Sequence, residues 1–277
     1  MRYSSKKPTD KVRVSPKGGT LSVYCDMEIY NDESIIEINN GLSLVEKKDG
    51  LTFGSDAYLL AAYVRRQPKA RAADLGSGTG VIPLLLLSKG KVSSCEAVEL
   101  QPEFAGLIER NAVINGMSDK LNVRCADVRD ITADSLSGTV DVAVSNPPYM
   151  KTSGKANESD RKNIARHEVA GGIADFCSAA GRILKHGGLF YTVYRADRLC
   201  ELIAALTAAK LEPKRMTFVH SRTDLSPCFV LCESKKGAAP GTYVTPPLIM
   251  YSRGTEYTDT LKEIYETGEF HESYQKP

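Results

Sequence analysis

Between Arg71 and Tyr194 short apolar runs alternate with helix-forming segments, and that alternation leaves little choice of architecture. Arg71–Leu75, Cys95–Val98, Leu121–Cys125, Val140–Ser145 and Leu189–Tyr194 read as strands, separated by helical patterns at Val81–Ser88, Pro102–Asn115 and Ala174–Lys185. Strands that are apolar on both faces need cover on both faces, and crossover helices supply it, so the pattern predicts a doubly wound, mainly parallel α/β sheet. Asp197–Ala209 adds a helix, and Lys214–His220 with Cys228–Glu233 predict a closing antiparallel hairpin.

The flanks read differently. Residues 1–20 carry Arg2, Lys6, Lys7, Lys11, Arg13 and Lys17 against one acid, Asp10, which suggests a basic flexible arm. Residues 21–52 hold short alternating stretches punctuated by Asn39-Asn40-Gly41 and Lys48-Asp49-Gly50, the signature of a small β element. Ser55-Asp56 reads as an N-cap for a helix over Ala57–Arg66. The main domain then runs over 53–234, and the polar, tyrosine-bearing tail 235–277 is expected to pack on it.

With 277 residues, 42% of them hydrophobic, the chain can bury a large core, and a net charge of +2 requires any nucleic-acid partner to be held by a local patch. Seven cysteines without a C-x-x-C pair read as reduced thiols, so no metal site is expected. No apolar run approaches the roughly 18 residues of a membrane span and no leader pattern opens the chain, which predicts a cytoplasmic protein. No oligomeric state is specified.

The chemistry concentrates after three strands. Asp74-Leu75-Gly76-Ser77-Gly78-Thr79-Gly80 follows a strand and opens a helix, the setting of a nucleotide-binding glycine loop. Its spacing is G-x-G-x-G, and Asp74 would repel a pyrophosphate but could hold an ammonium group. Gly76, Gly78 and Gly80 allow close approach of a ligand because no Cβ intervenes. Glu99 ends the next strand, where an acid can accept both hydroxyls of a ribose. Asp127, after the third strand, could take an adenine amino group; a turn acid would look the same.

Asn146-Pro147-Pro148-Tyr149, after Val140–Ser145, is the most specific feature. The lone pair of an exocyclic amine or amide is delocalised, so such a nitrogen attacks poorly. An Asn146 side-chain oxygen and the Pro147 carbonyl can accept its two N–H bonds and localise that lone pair. Prolines fix the turn and leave carbonyls free, while Tyr149 can stack on a base drawn out of its helix. Lys151, Lys155, Arg161, Lys162 and Arg166 follow, a basic loop suited to phosphates or equally to solvent. His167 beside them reads as structural, because this chemistry asks for little base.

Together these residues resemble class I S-adenosylmethionine-dependent methyltransferases of Rossmann-like fold, and in particular the bacterial tRNA1(Val) (adenine(37)-N6)-methyltransferase family. The similarity is carried by Phe53-Gly54-Ser55-Asp56-Ala57, Asp74–Gly80, Glu99, Asp127, Asn146–Tyr149 and Ala165-Arg166-His167-Glu168. It implies methyl transfer to N6 of the adenine 3′ of the anticodon, with S-adenosylhomocysteine as product and tRNA as partner. It also implies that Phe53, Ser55 and Asp56 fold over the cofactor, with Asp74, the glycines, Glu99, Asp127 and Asn146 completing its site. Ser55 stands where such proteins commonly carry Thr. Two other readings stay open: a release-factor-type glutamine N5-methyltransferase, whose amide nitrogen poses the same problem, and a non-catalytic RNA-binding module on this fold.

Overall fold

The computed structural model describes residues 10–14, 25–38, 41–48, 54–148 and 171–275. Two small antiparallel pairs precede the main body: β1 (Asp10–Val14) with β2 (Cys25–Ile29), and β3 (Glu33–Ile38) with β4 (Leu42–Lys47). β1 lies inside the stretch read from sequence as an arm. Its Lys11-Val12-Arg13-Val14 alternates with period two, a pattern that a charge count overlooks.

The central sheet contains β5 (Arg71–Leu75), β6 (Ser94–Glu99), β7 (Leu121–Cys125), β8 (Val140–Ser145), β9 (Leu184–Arg195), β10 (Leu211–His220), β11 (Phe229–Lys236), β12 (Tyr243–Val244) and β13 (Leu248–Ile249). Their order is β12-β10-β11-β9-β8-β5-β6-β7, with β13 also on β10. Strands β5 to β9 pair in parallel, and β11 enters antiparallel between β9 and β10. The expected parallel sheet and closing antiparallel hairpin are both present, and the hairpin is woven in, because β11 also pairs with β9.

Helices α1 (Ser55–Tyr63), α2 (Val81–Ser88), α3 (Pro102–Ile114), α4 (Ile173–Ile183), α5 (Leu199–Ala208) and α6 (Asp259–Thr267) form the outer layers. Side chains of α1, α2, α3 and α6 share one core with the sheet, built on residues such as Leu59, Leu84, Ile108 and Leu261. Those of α4 and α5 share the other, around Phe176, Ala180 and Leu206. Helix α1 begins at Ser55, two residues before the expected start: Gly54 is its N-cap and contributes no side-chain bond, so the Ser55-Asp56 cap is corrected. It also stops at Tyr63 rather than Arg66, because Val64 turns extended (φ −63°, ψ 125°).

That early stop follows from two buried cations. Lys91 Nζ donates to the carbonyls of Ala61, Ala62 and Val64 at 3.1, 2.7 and 2.7 Å, and Arg215 donates to Tyr63 O at 2.7 Å. The carbonyls that a helix leaves orphaned in its last turn are thereby satisfied. A second device ties the β3–β4 hairpin to the body. Asn111 of α3 accepts from Val45 N and donates to Val45 O and Thr79 O, and Asn115 exchanges two bonds with the backbone of Ser43. The two amides, one helical turn apart, act toward β4 much as a neighbouring strand would.

Candidate active site

The chain runs from β5 outward through β6 to β7, then crosses back to place β8 on the other side of β5. At such a reversal of strand order the loops beyond the strands splay apart, and a ligand crevice opens at their carboxyl ends. Asp74, the glycine loop and Asn146 all sit there.

Asp74 Oδ1 and Oδ2 are enclosed and have no hydrogen-bond partner. Desolvation by burial, with repulsion from Glu99 added, pushes its carboxyl up to about 7. The structure encloses Asp74 more fully than the sequence suggests. The loop itself is held by Gly76 and Ser77 N–H bonds to Val98 O and by the Ser77 hydroxyl on Asp74 O. All three loop glycines have positive φ: +77°, +56° and +82°. A Cβ on Gly76 would lie 2.9 Å from the Phe176 ring and one on Gly80 would lie 3.0 Å from Ile108, whereas one on Gly78 would meet nothing within 4 Å. Two glycines therefore serve packing, and the middle one faces open space.

Glu99 accepts from Gly78 N and Gln101 N, each at 2.9 Å, one bond to each carboxylate oxygen. Burial raises its pKa, against the pull of those backbone bonds. Through these bonds it braces the loop from the next strand. Asp127 is engaged more tightly: Arg129 donates its backbone N and its guanidinium to it, and the Arg129 bonds hold its carboxyl below the usual range. A nucleobase amino group would have to share it with that arginine.

On the other side of β5, the Ser145 hydroxyl donates to Leu75 O at 2.9 Å, locking the end of β8 to the start of the glycine loop. Asn146 follows, half-buried, then Pro147, buried. Asn146 Nδ2 donates to Asp56 Oδ2 at 3.0 Å, so the first turn of α1 closes over this corner. Ser55 stands at the start of the same turn. Phe53, Tyr149, Lys151, Lys155, Arg161, Lys162, Arg166 and His167 lie outside the described residues. The structure thus brings together Asp56, Asp74, Gly78, Glu99 and Asn146. It adds Ser145, Phe176, Gln101 and Asn111, which sequence reading passes over. Only Asn111 and Asn115, two amides four residues apart in and at the end of α3, leave a readable sign.

An enclosed carboxylate lacking a partner, an open glycine beside it and a braced acid on the next strand fit a cationic amino-acid group joined to a nucleoside. With the reversed strand between the last two parallel ones and Asn-Pro-Pro after β8, these features define a Rossmann-like class I methyltransferase using S-adenosylmethionine. Residues 47–209 match the family described as Methyltransferase small domain, and the chain belongs to that family.

A Porphyromonas gingivalis protein named tRNA1(Val) (adenine(37)-N6)-methyltransferase is 29% identical over 186 residues, covering 65% of this chain and 72% of its own. One of the same name from Phocaeicola vulgatus is 28% identical over 214 residues, covering 76% and 89%. Among solved structures, a predicted O-methyltransferase from Agrobacterium tumefaciens superposes with a TM-score of 0.63 at 22% identity, covering 78% of this chain and 98% of that one, which shows the shared fold. Among the described residues no helix is long and apolar enough to cross a membrane, and no His, Cys, Asp or Glu cluster could hold a metal ion.

Proposed function

We propose that this protein is a cytoplasmic enzyme that methylates N6 of adenine in tRNA, at the position 37 that the names of its relatives specify. The observation that carries the reading is the placement of Asn146-Pro147 at the end of β8, locked to the glycine loop through Ser145 and Leu75. When bound, S-adenosylmethionine supplies an electrophilic methyl group on a sulfonium. Asp74 and Glu99 offer negative charge and acceptors to its amino-acid and ribose parts, and Gly78 leaves room for it. Asn146 Oδ1 and the Pro147 carbonyl take the two N–H bonds of the target amine, turning its lone pair toward the methyl group. Alignment then does most of the work, and the proton leaves after transfer without an obligatory side-chain base. Tyr149 and the basic residues 151–166 keep their proposed parts in stacking and phosphate binding, as read from sequence.

The test is mass spectrometry of nucleosides from an unmodified tRNA(Val) transcript incubated with enzyme and labelled cofactor, beside a release-factor protein. N6-methyladenosine supports the reading; label on a protein glutamine, or cofactor binding without transfer to either, replaces it with one of the alternatives. Asn146→Ala should slow methyl transfer by about 10²–10³-fold, as loss of one preorganised polar partner does.

A further inference from the structure

We propose that Asp56 is a positioning residue that fixes which way the Asn146 amide faces, and that Gly54 is present to let it do so. The inference rests on the role given to Asn146 above. A primary amide carries an acceptor at one end and two donors at the other. Rotated by 180°, Asn146 would point N–H groups at the N–H groups of the incoming amine and repel it. Something must choose the orientation, and an acceptor placed against the nitrogen end does so.

Asp56 Oδ2 lies 3.0 Å from Asn146 Nδ2. A carboxylate offers acceptors alone, so this contact is favourable in one orientation of the amide and repulsive in the other. The acceptor end, Oδ1, is then the end the substrate meets. Pro147 assists, because the residue before a proline is held in extended backbone.

Gly54 completes the device. Its backbone (φ −93°, ψ 176°) is open to any residue, so left-handed geometry is not the reason for glycine here. A Cβ at this position would lie 2.5 Å from Asp56 Oδ1 and 3.4 Å from its Cγ. The glycine makes room for the carboxylate to fold back over the helix start with its other oxygen on Asn146. The contact links positions 90 residues apart, across α1 and β8.

The experiment combines single-turnover methylation of an unmodified tRNA(Val) transcript at saturating cofactor with calorimetric binding of S-adenosylhomocysteine, on variants shown to be folded by thermal unfolding. Asp56→Ala and Gly54→Ala should each lower the transfer rate roughly 10–100-fold while the dissociation constant moves about threefold or less, the mark of lost alignment. Asp56→Asn, whose amide can pair with that of Asn146 in either orientation, should stay about as slow as Asp56→Ala. Asp56→Ala added to Asn146→Ala should cost nothing further, because the residue it positions is gone.

A loss in the double variant equal to the product of the single losses would overturn the proposal, as would an S-adenosylhomocysteine affinity that falls as far as the rate. If Asn146→Ala is slow and Asp56→Ala is at full rate, the positioning role fails alone; if Asn146→Ala is at full rate, the reading of the catalytic turn fails with it. Should Asp56→Ala not fold, Gly54→Ala and Asp56→Asn decide the same question: slow transfer in both at little-changed S-adenosylhomocysteine affinity upholds the role, and full rate in either removes it.

Discussion

The two ends of α1 treat charge in opposite ways. At its carboxyl end Lys91 and Arg215 are buried yet engaged: the four final carbonyls receive their N–H groups, Arg215 pairs with Glu233 at 2.8 Å, and its guanidinium lies 3.8 Å over the Tyr63 ring. At its amino end the cap is a bare glycine, the Asp56 carboxylate reaches across to Asn146, and the nearby strand end buries Asp74 with both oxygens unpartnered. A buried charge is costly unless matched. The first end is an anchor held by its cations; the second has beside it a buried carboxylate with no donor on either oxygen.

This contrast breaks first at the anchor. Arg215→Met should destabilise the fold by about 3 kcal/mol, since it strands Tyr63 O and leaves Glu233 to Arg65 alone, while cofactor affinity in the folded fraction is unchanged. Urea unfolding checks it, and a loss below about 1 kcal/mol would make the anchor a surface-like pair.

The opposite sign is expected at the site. Because Asp74 is held at about 7 when folded, above its unfolded value, its contribution to stability is full below roughly pH 4 and is lost as pH rises through 7. Asp74→Asn should flatten that slope and leave the ligand-free protein about 2–3 kcal/mol more stable than the parent at pH 8, while weakening S-adenosylhomocysteine binding. Denaturant midpoints at pH 5 and pH 8 decide it; parallel slopes in parent and variant would mean that Asp74 is not the strained group.

The smallest effect sharpens the picture within the loop. Gly78→Ala should cost only about 1 kcal/mol of stability, the strain of a left-handed alanine, because its Cβ touches nothing. Its main effect should be on calorimetric cofactor affinity. Gly80→Ala, pressing on Ile108, should cost more stability than Gly78→Ala does.

Much of this is legible where the signal is local. Asp74–Gly80 and Asn146–Pro148 declare themselves because glycine and proline spacing reflects backbone demands within a few residues. The strand alternation points to the parallel sheet for the same reason. Asp56 reads as a cap or a cofactor contact, because nothing local shows that a side chain 90 positions away will meet it. Asp127 reads as open, although Arg129, two residues on, occupies it. Arg215 and Glu233 appear in the sequence only as members of two strands, since their burial depends on the C-terminal residues Tyr274 and Gln275, which bring a carbonyl and a side-chain amide to Arg215. That β11 parts β9 from β10 is a question of sheet order, to which hairpin punctuation is blind.

Strands β12 and β13 carry one more consequence. Each contributes two residues alongside β10, and Thr245 N and Met250 N bond to Met216 O and His220 O. Ten residues of strand would otherwise present an unsatisfied ladder at the rim of the sheet, an invitation to strand addition by a second copy. The segment that covers it is broken by Pro246-Pro247, which have no N–H to extend a ladder outward. The far rim, β7, is five residues long and carries Asn122 and Arg124, so it offers little to pair with. Residues 243–250 thus cover the β10 edge, and their removal should leave a bare ladder open to strand addition, which light scattering of the shortened protein would check.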